Sequence, residues 1–319
     1  MNQQNRYGRL PVLLVLLLLA SCAPFAKKTE IDSGLNAPLN ITVMTFNVQN
    51  LFDNVDDPGK DDKAYLPIDA KQNEAHISAC NEIAVQSWRD ECLNLDWDDA
   101  AVDHKLTVLA DTIRQVDSGR GADIIALQEV ENAAILDRLR NEYLADLGYG
   151  PAILVEGSDV RGIDVAFLSR LPLASPAILH PLVLSEFPDR EGDTRGVLQA
   201  DFLLPNESLL TGFSVHFPAP FHPTAMRIAA YAHLNELLDA LPGDRAVFAG
   251  GDFNTTSTED SEKKMFDTYA RPYWTVAHDI GCLMCKGTHY YARDDSWSFL
   301  DMLLFSASRG KNATARIRA

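Results

Sequence analysis

Arg245–Thr256 reads RAVFAGGDFNTT, and it limits the fold more than any other stretch. Ala246–Ala249 is a short apolar run with β-branched and aromatic members, the composition of a buried strand. Gly250 and Gly251 follow, then Asp252, Phe253 and Asn254. Two glycines are expected to end the strand, bend the backbone and leave room for a bulky ligand. A carboxylate and a carboxamide two residues apart then sit just past a strand end, where α/β proteins place their chemistry. Alone, the stretch reads equally well as a turn, because Gly-Asp and Asn-Thr are ordinary loop vocabulary. The choice depends on whether other strand ends carry matching polar residues.

They do. Asn40–Phe46 (NITVMTF) alternates and is β-branched, a strand with Asn47 at its exit. His104–Val116 sets Leu106, Leu109, Ala110 and Ile113 on one helical face, and Gly119 and Gly121 stop it. Ala122–Leu127 (ADIIAL) is an apolar strand that leads into Gln128 and Glu129. Asn132–Leu147 is a second helix with Ile135, Leu139 and Tyr143 or Leu144 inward. Helix, strand, acid, helix is α/β grammar. Pro151–Val155 and Ile163–Leu168 read as paired strands, the second holding a buried Asp164. Arg195–Leu204 and Leu209–Phe217 form another pair, ending at His216 before Pro218, Pro220 and Pro223. Thr224–Leu241 is a third helix, capped by Thr224 and stopped by Pro242-Gly243. A further helix is expected over Ser257–Tyr269, and Ser298–Ser306 (SFLDMLLFS) is a last apolar strand containing Asp301.

Asn47, Glu129, His216, Asp252, Asn254 and Asp301 thus stand where a core would not choose them. Each has a plain structural reading: Asn47 and Glu129 as caps, His216 as a satisfied core histidine, Asp301 paired with an arginine. Together, carboxylates, amides and a histidine at successive strand ends match a metal-assisted hydrolytic site.

Met44-Thr45-Phe46-Asn47-Val48-Gln49-Asn50, Leu127-Gln128-Glu129-Val130, Gly162-Ile163-Asp164-Val165-Ala166, Ser214-Val215-His216, Gly251-Asp252-Phe253-Asn254 and Ser296-Trp297-Ser298-Phe299-Leu300-Asp301 occur in this order. This set resembles the ordered motifs of the endonuclease/exonuclease/phosphatase superfamily, whose members share the fold of pancreatic deoxyribonuclease. The resemblance implies an α/β fold, a four-layer α/β/β/α sandwich of two mixed β-sheets flanked by helices. It implies Glu129 as the principal Mg²⁺ ligand (Mn²⁺ as the substitute ion), with Asn47 as its partner or a phosphate orienter. Asp252 would position or deprotonate the attacking water, Asn254 would orient Asp252 and the phosphate, and His216 would donate to a non-bridging oxygen. Arg161 and Arg195 are candidates for phosphate contacts, with a salt bridge as the equal alternative. Asp164 is a weaker match. The family pattern closes with a Ser-Asp-His-type motif on a strand after the Asp301 position, and no histidine follows His289. His278 and His289 precede the strand and do not fit. The expectation is a C-terminally truncated chain, its last strand and final motif missing, Asp301 without its partner, a sheet edge unpaired and activity poor.

Arg6 and Arg9 precede the apolar run Val12–Ala20, which is too short to span a bilayer. Leu19-Ala20-Ser21-Cys22 resembles a bacterial lipobox, so residues 1–21 are expected to be a signal peptide and 22–38 a tether lipidated at Cys22. Ala23 after the cysteine looks like outer-membrane sorting, which puts residues 39–319 on the periplasmic side of the bacterial envelope. A monomer is expected. The formal charge is −17, without the basic footprint of a strong nonspecific nucleic-acid binder. Nucleic acid at a metal site stays open, since divalent cations supply the positive field.

Residues 50–103 are dense in acids and weakly periodic, and read as a surface excursion with a short helix near Ala79–Trp88. A calcium site among Asp53, Asp56, Asp57, Asp61 and Asp62 lacks the glutamate that closes an EF-hand loop, so a solvated acidic loop is preferred. Cys80, Cys92, Cys282 and Cys285 allow three disulfide connectivities; the local pairs Cys80–Cys92 and Cys282–Cys285 are preferred because each brackets one loop. Zinc at Cys282 and Cys285 would need ligands such as His278 and His289. The leading function is a metal-dependent phosphoester hydrolase of phosphodiesterase or nuclease type, acting on nucleic acid, a nucleotide or a lipid headgroup. The alternative is an impaired or non-catalytic binding protein that retains the fold. A structural lipoprotein leaves the strand-end residues unexplained.

Overall fold

The computed structural model describes residues 39–282 and 284–306. The expected signal peptide, the tether with Cys22 and the segment after Ser306 lie outside the described residues. One sheet takes β1 (Val43–Leu51), β2 (Ile124–Val130), β3 (Ile153–Leu154) and β4 (Asp164–Ser169), in the order β1-β2-β4-β3. The other takes β5 (Ile178–His180), β6 (Val197–Leu203), β7 (Leu209–His216), β8 (Ala246–Asp252) and β9 (Thr275–Val276). A separate hairpin of β10 (His289–Tyr291) and β11 (Ser296–Ser298) precedes β12 (Asp301–Phe305), which completes the second sheet as β5-β6-β7-β8-β12-β9. Both sheets are mixed: β1–β2 and β7–β8 are parallel, their other neighbours antiparallel. β12 is no open edge, for β8 flanks it on one side and β9 pairs with Leu304 and Phe305 on the other.

The helices are α1 (Glu74–Asn81), α2 (Gln86–Asn94), α3 (Asp99–Arg114), α4 (Ala133–Arg138), α5 (Thr224–Ala240), α6 (Ser257–Lys263) and α7 (Ala277–Gly281). Strand alternation sorts side chains between helices and the opposing sheet. In β2, Ile125 and Leu127 pack with Leu106, Leu109 and Ile113 of α3 and Ile135 of α4. Ile124 and Ala126 turn the other way, to Phe202 and Phe248 of the second sheet. In β8, Val247 and Ala249 pack against Met226, Tyr231 and Leu234 of α5, while Phe248 enters the middle. The result is the expected four-layer sandwich. Phe167 locks the two sheets, its ring edge 5.4 Å from Phe202 and 6.2 Å from Phe248 between centroids.

Gly250 and Gly251 do not end β8, which runs through both to Asp252. Neither has a positive φ. A Cβ on Gly251 would lie 1.9 Å from the Val215 carbonyl oxygen, and one on Gly250 would lie 3.3 Å from the Thr45 and Ala126 Cβ atoms. The glycines serve close packing between strands and between sheets, not a bend.

The acidic excursion is also more ordered than its composition suggests. α3 begins within it, capped by Asp98, whose side chain accepts from the Ala101 N–H. The helix expected over Ala79–Trp88 straddles the break between α1 and α2. Phe52 stacks on Tyr65 at 4.1 Å, Trp97 Nε1 donates to the Phe52 carbonyl, and buried Lys71 donates to the carbonyls of Ala64 and Leu95. Cys80 and Cys92 lie with Cα atoms 5.7 Å apart, Cys282 and Cys285 5.3 Å apart, the local pairing and a span that disulfides bridge. His278 stacks on Phe299 at 3.9 Å, and among the described residues no metal-holding group forms around Cys282. Elsewhere the helices are shorter than their periodicity. Residues after Arg138 widen into a π turn over Leu139–Tyr143. Pro223 rather than Thr224 takes the cap position of α5. Lys264, with a left-handed backbone, ends α6.

Candidate active site

β1 and β2 leave regular register where their polar residues lie. Pairing runs from Val43–Ile124 to Asn47–Gln128, then shifts so that Leu51 faces Val130. Gln49, Asn50 and Glu129 have φ of 54°, 60° and 66°. Left-handed backbone at non-glycine residues costs about 1–3 kcal/mol each and persists where surroundings impose it. The bulges take Glu129 out of alternation, between buried Gln128 and Val130. Its carboxylate accepts from the Asn50 N–H at 2.8 Å and from Asn47 Nδ2 at 3.2 Å. Lys105 Nζ donates to the Gln49 carbonyl at 2.9 Å and ties the bulge to α3.

In the second sheet, register aligns three polar residues in one row: His216 is paired with Asp252, and Asp252 with Asp301. Asn254, itself at φ 50°, donates its N–H to Asp252 Oδ1 at 2.9 Å and its Nδ2 to the Phe217 carbonyl at 2.9 Å. Asn47 Nδ2 also reaches Asp252 Oδ2 at 3.1 Å, which joins the two sheets at the site. His216 Nε2 lies 3.9 Å from Glu129 Oε1 and 3.7 Å from Asp252 Oδ2. The structure therefore gathers Asn47, Glu129, His216, Asp252, Asn254 and Asp301 at one end of the sandwich.

Burial, and then Asp301, push the Asp252 carboxyl up to about 7. Burial pushes Asp301 up to about 6, with Glu129 adding to it, and its Oδ1 is buried without a hydrogen-bond partner among the described residues. His216 is held well below its ordinary value by burial and by the guanidinium groups of Arg195 and Arg161, so the imidazole is neutral. With Nδ1 buried and unpartnered and Nε2 turned to two carboxylates, the proton belongs on Nε2.

Both arginines take the salt-bridge alternative through Asp159, which the sequence reading missed although it shares a turn with Arg161. Arg195, 5% exposed, sets Nε 3.0 Å from Asp159 Oδ2 without hydrogen-bond alignment, and Arg161 Nε lies 3.5 Å from Oδ1. Arg161 remains partly open to solvent, whereas Arg195 acts as a buried counter-charge. Asp164 stands apart and accepts from the Gly157 N–H at 2.8 Å, a structural role. Gln128 and Ser214 stand in the ordered motifs without an assigned role; both are fully buried, and Gln128 Nε2 donates to Ser214 Oγ at 3.2 Å between the two sheets.

Glu129 and Asp252 offer carboxylate oxygens, Asn47 donates Nδ2 to both while its Oδ1 accepts from the Gln49 N–H at 2.9 Å, and Asp301 adds an orphaned buried oxygen. Three carboxylate oxygens do not close to mutual ligand distance here. Such a set fits Mg²⁺, which uses one or two protein carboxylates and keeps its remaining coordination for water and phosphate.

No curated protein matches the chain by sequence. The fold is that of solved endonuclease/exonuclease/phosphatase proteins. One from Bacteroides thetaiotaomicron has a TM-score of 0.54 at 15% identity, over 85% of this chain and 85% of its own. One from Bacteroides vulgatus gives 0.52 at 16%, over 85% and 88%. A third, from Leptotrichia buccalis, gives 0.53 at 15%, over 84% and 88%. The sequence profile of the Endonuclease/Exonuclease/phosphatase family matches residues 44–300, the span holding all six gathered side chains except Asp301, and by that match the chain belongs to this family.

Proposed function

We propose that the chain is a divalent-metal-dependent phosphoester hydrolase of phosphodiesterase or nuclease type. The observation that supports this most is the bridge made by Asn47 Nδ2, 3.2 Å from Glu129 and 3.1 Å from Asp252, beside a neutral His216. Hydrolysis of a phosphoester needs in-line positioning of water and relief of charge on the phosphoryl oxygens. Mg²⁺ held by Glu129, which Asn47 ties to Asp252, would supply that relief as a Lewis acid. Asp252, fixed through Oδ1 by the Asn254 N–H, keeps Oδ2 toward the site, where its raised proton affinity suits it to take a proton from water. His216 donates Nε2–H to a non-bridging oxygen. Arg161, partly open to solvent beside Asp159, is the arginine that would meet substrate phosphate. With a charge of −17, a short or small phosphodiester is favoured over long DNA.

The test is hydrolysis of bis-p-nitrophenyl phosphate by the full chain with Mg²⁺, Mn²⁺ or EDTA. Metal-dependent turnover is expected, falling by about 10²–10⁴-fold in Glu129→Ala, Asp252→Asn and His216→Ala. Mg²⁺ binding that needs Glu129 but brings no turnover on any phosphodiester would replace this reading with that of a non-catalytic binding protein. The orphaned Asp301 oxygen is the observation that favours this second reading.

A further inference from the structure

The glutamate that the acidic excursion lacks in its own sequence arrives from β2. Ligand oxygens of Asp57, Asp62 and Glu131 lie within 4.8 Å of one another, two from the excursion and one from just past the strand that carries Glu129. Asp62 and Glu131 are each 2% exposed, so Asp62 departs from the solvated loop expected, while Asp56 and Asp61 stay exposed. Asp62 Oδ2 accepts from the Asp57 N–H at 2.8 Å, but its Oδ1 is buried with no partner. The nearby lysines are engaged elsewhere. Lys60 Nζ donates to the Asp159 carbonyl, and Lys63 Nζ donates to the Lys60 carbonyl and pairs with Asp56 at 3.6 Å. Among the described residues, no basic side chain forms an ion pair with any of the three. Buried carboxylates of like charge converge where a cation balances them or a proton neutralises one of them, and cation binding distinguishes the two.

We propose that Asp57, Asp62 and Glu131 form a Ca²⁺ site, separate from the active site and independent of the hydrolase reading. The donors are hard oxygens, and three carboxylates on two distant segments make the irregular, carboxylate-rich shell that Ca²⁺ accepts and that octahedral, water-retaining Mg²⁺ does not. The backbone shows what the ion would hold. Glu131 donates its N–H to the Leu51 carbonyl at 3.0 Å and accepts from the Asp53 N–H at 2.6 Å, while Asn50 donates to Glu129. A cation here fastens the excursion to the strand end that presents Glu129.

The test measures Ca²⁺ binding and melting of the full chain in 1 mM Mg²⁺, a background that occupies the Mg²⁺ site. The Glu129→Gln protein is expected to bind one Ca²⁺ and to melt about 5–8 °C higher when Ca²⁺ is at a hundredfold excess over Kd. Asp62→Asn and Glu131→Gln are expected to lose that ion and the shift. Without Ca²⁺, Asp62→Asn melts at or above the wild type, because one buried negative charge is gone. A merely structural Asp62 predicts the reverse. Retention of the ion in Asp62→Asn, or its loss in Glu129→Gln, overturns the proposal. If neither acidic variant folds, Glu129→Gln alone decides: a Ca²⁺ shift supports the site, and its absence overturns it.

Discussion

Asp252 and Asp301 are directly opposed where β8 and β12 pair, a buried carboxylate beside a half-buried one whose Oδ1 is enclosed. Like charges this placed resist joint ionisation, and Asp301 is the largest electrostatic cause, after burial, of the Asp252 shift to about 7. The pair titrates as a unit. Removing the Asp301 charge makes Asp252 easier to ionise, so its proton-accepting form persists to lower pH. Asp301→Asn is therefore expected to move the acid limb of the kcat/KM profile down by roughly one pH unit. The profile on a chromogenic phosphodiester checks it. A variant that slows turnover equally at every pH would show that Asp301 only supports the sheet.

The two glycines ahead of Asp252 are expected to answer differently to the same substitution. In Gly251→Ala the new methyl meets the Val215 backbone carbonyl at 1.9 Å, which can recede only if β7 and β8 part. That substitution is expected to cost more than about 3 kcal/mol or to prevent folding. In Gly250→Ala the nearest atom is the Leu303 Cδ2 at 3.0 Å, the end of a flexible side chain. A cost of about 1–2 kcal/mol is expected there. Urea unfolding midpoints of the two variants give the comparison; equal losses would mean that the strands separate as easily as a leucine turns.

The misreading of these glycines shows where the sequence stops being legible. The strands that carry the site were readable because each is an apolar run, and the site was readable because those runs carry a polar residue no core would choose. The short β5, β9, β10 and β11 gave no such run and were not expected. Glu129 and Asp252 needed nothing more. The demand on Gly251 comes from Val215 on another strand, and that on Gly250 from Thr45 and Ala126 on the other sheet. Neither is written locally. The same holds for Glu131, whose partners Asp57 and Asp62 lie across a long separation, so the excursion read as solvated. Asp159 gave a local hint beside Arg161, but its second partner, Arg195, did not. The left-handed backbone at Gln49, Asn50 and Glu129 goes against the preference of those residues and follows from the bulged pairing of β1 with β2.

Asp164 carries the clearest effect of pH on stability. Burial, reinforced by Glu156, pushes its carboxyl up to about 8 from an ordinary 3.8, while the Gly157 N–H bonds Oδ1 and leaves Oδ2 buried and unpartnered. Between those two values the folded chain holds a proton there that the unfolded chain has released. The stability from this group is full below about 4 and is lost as pH rises through about 8. Asn at this position keeps the acceptor for Gly157 and resembles the protonated acid at every pH. Asp164→Asn is accordingly expected to match the wild type near pH 4 and to exceed it at pH 9 by roughly 2–5 kcal/mol. Other raised carboxylates, Glu131 and Asp252 among them, add the same slope to both proteins, so the difference between the two chains isolates Asp164. Urea unfolding of each at both pH values measures it. A difference that does not grow with pH would mean that Asp164 is ionised in the folded protein, its charge met by a partner such as Lys60.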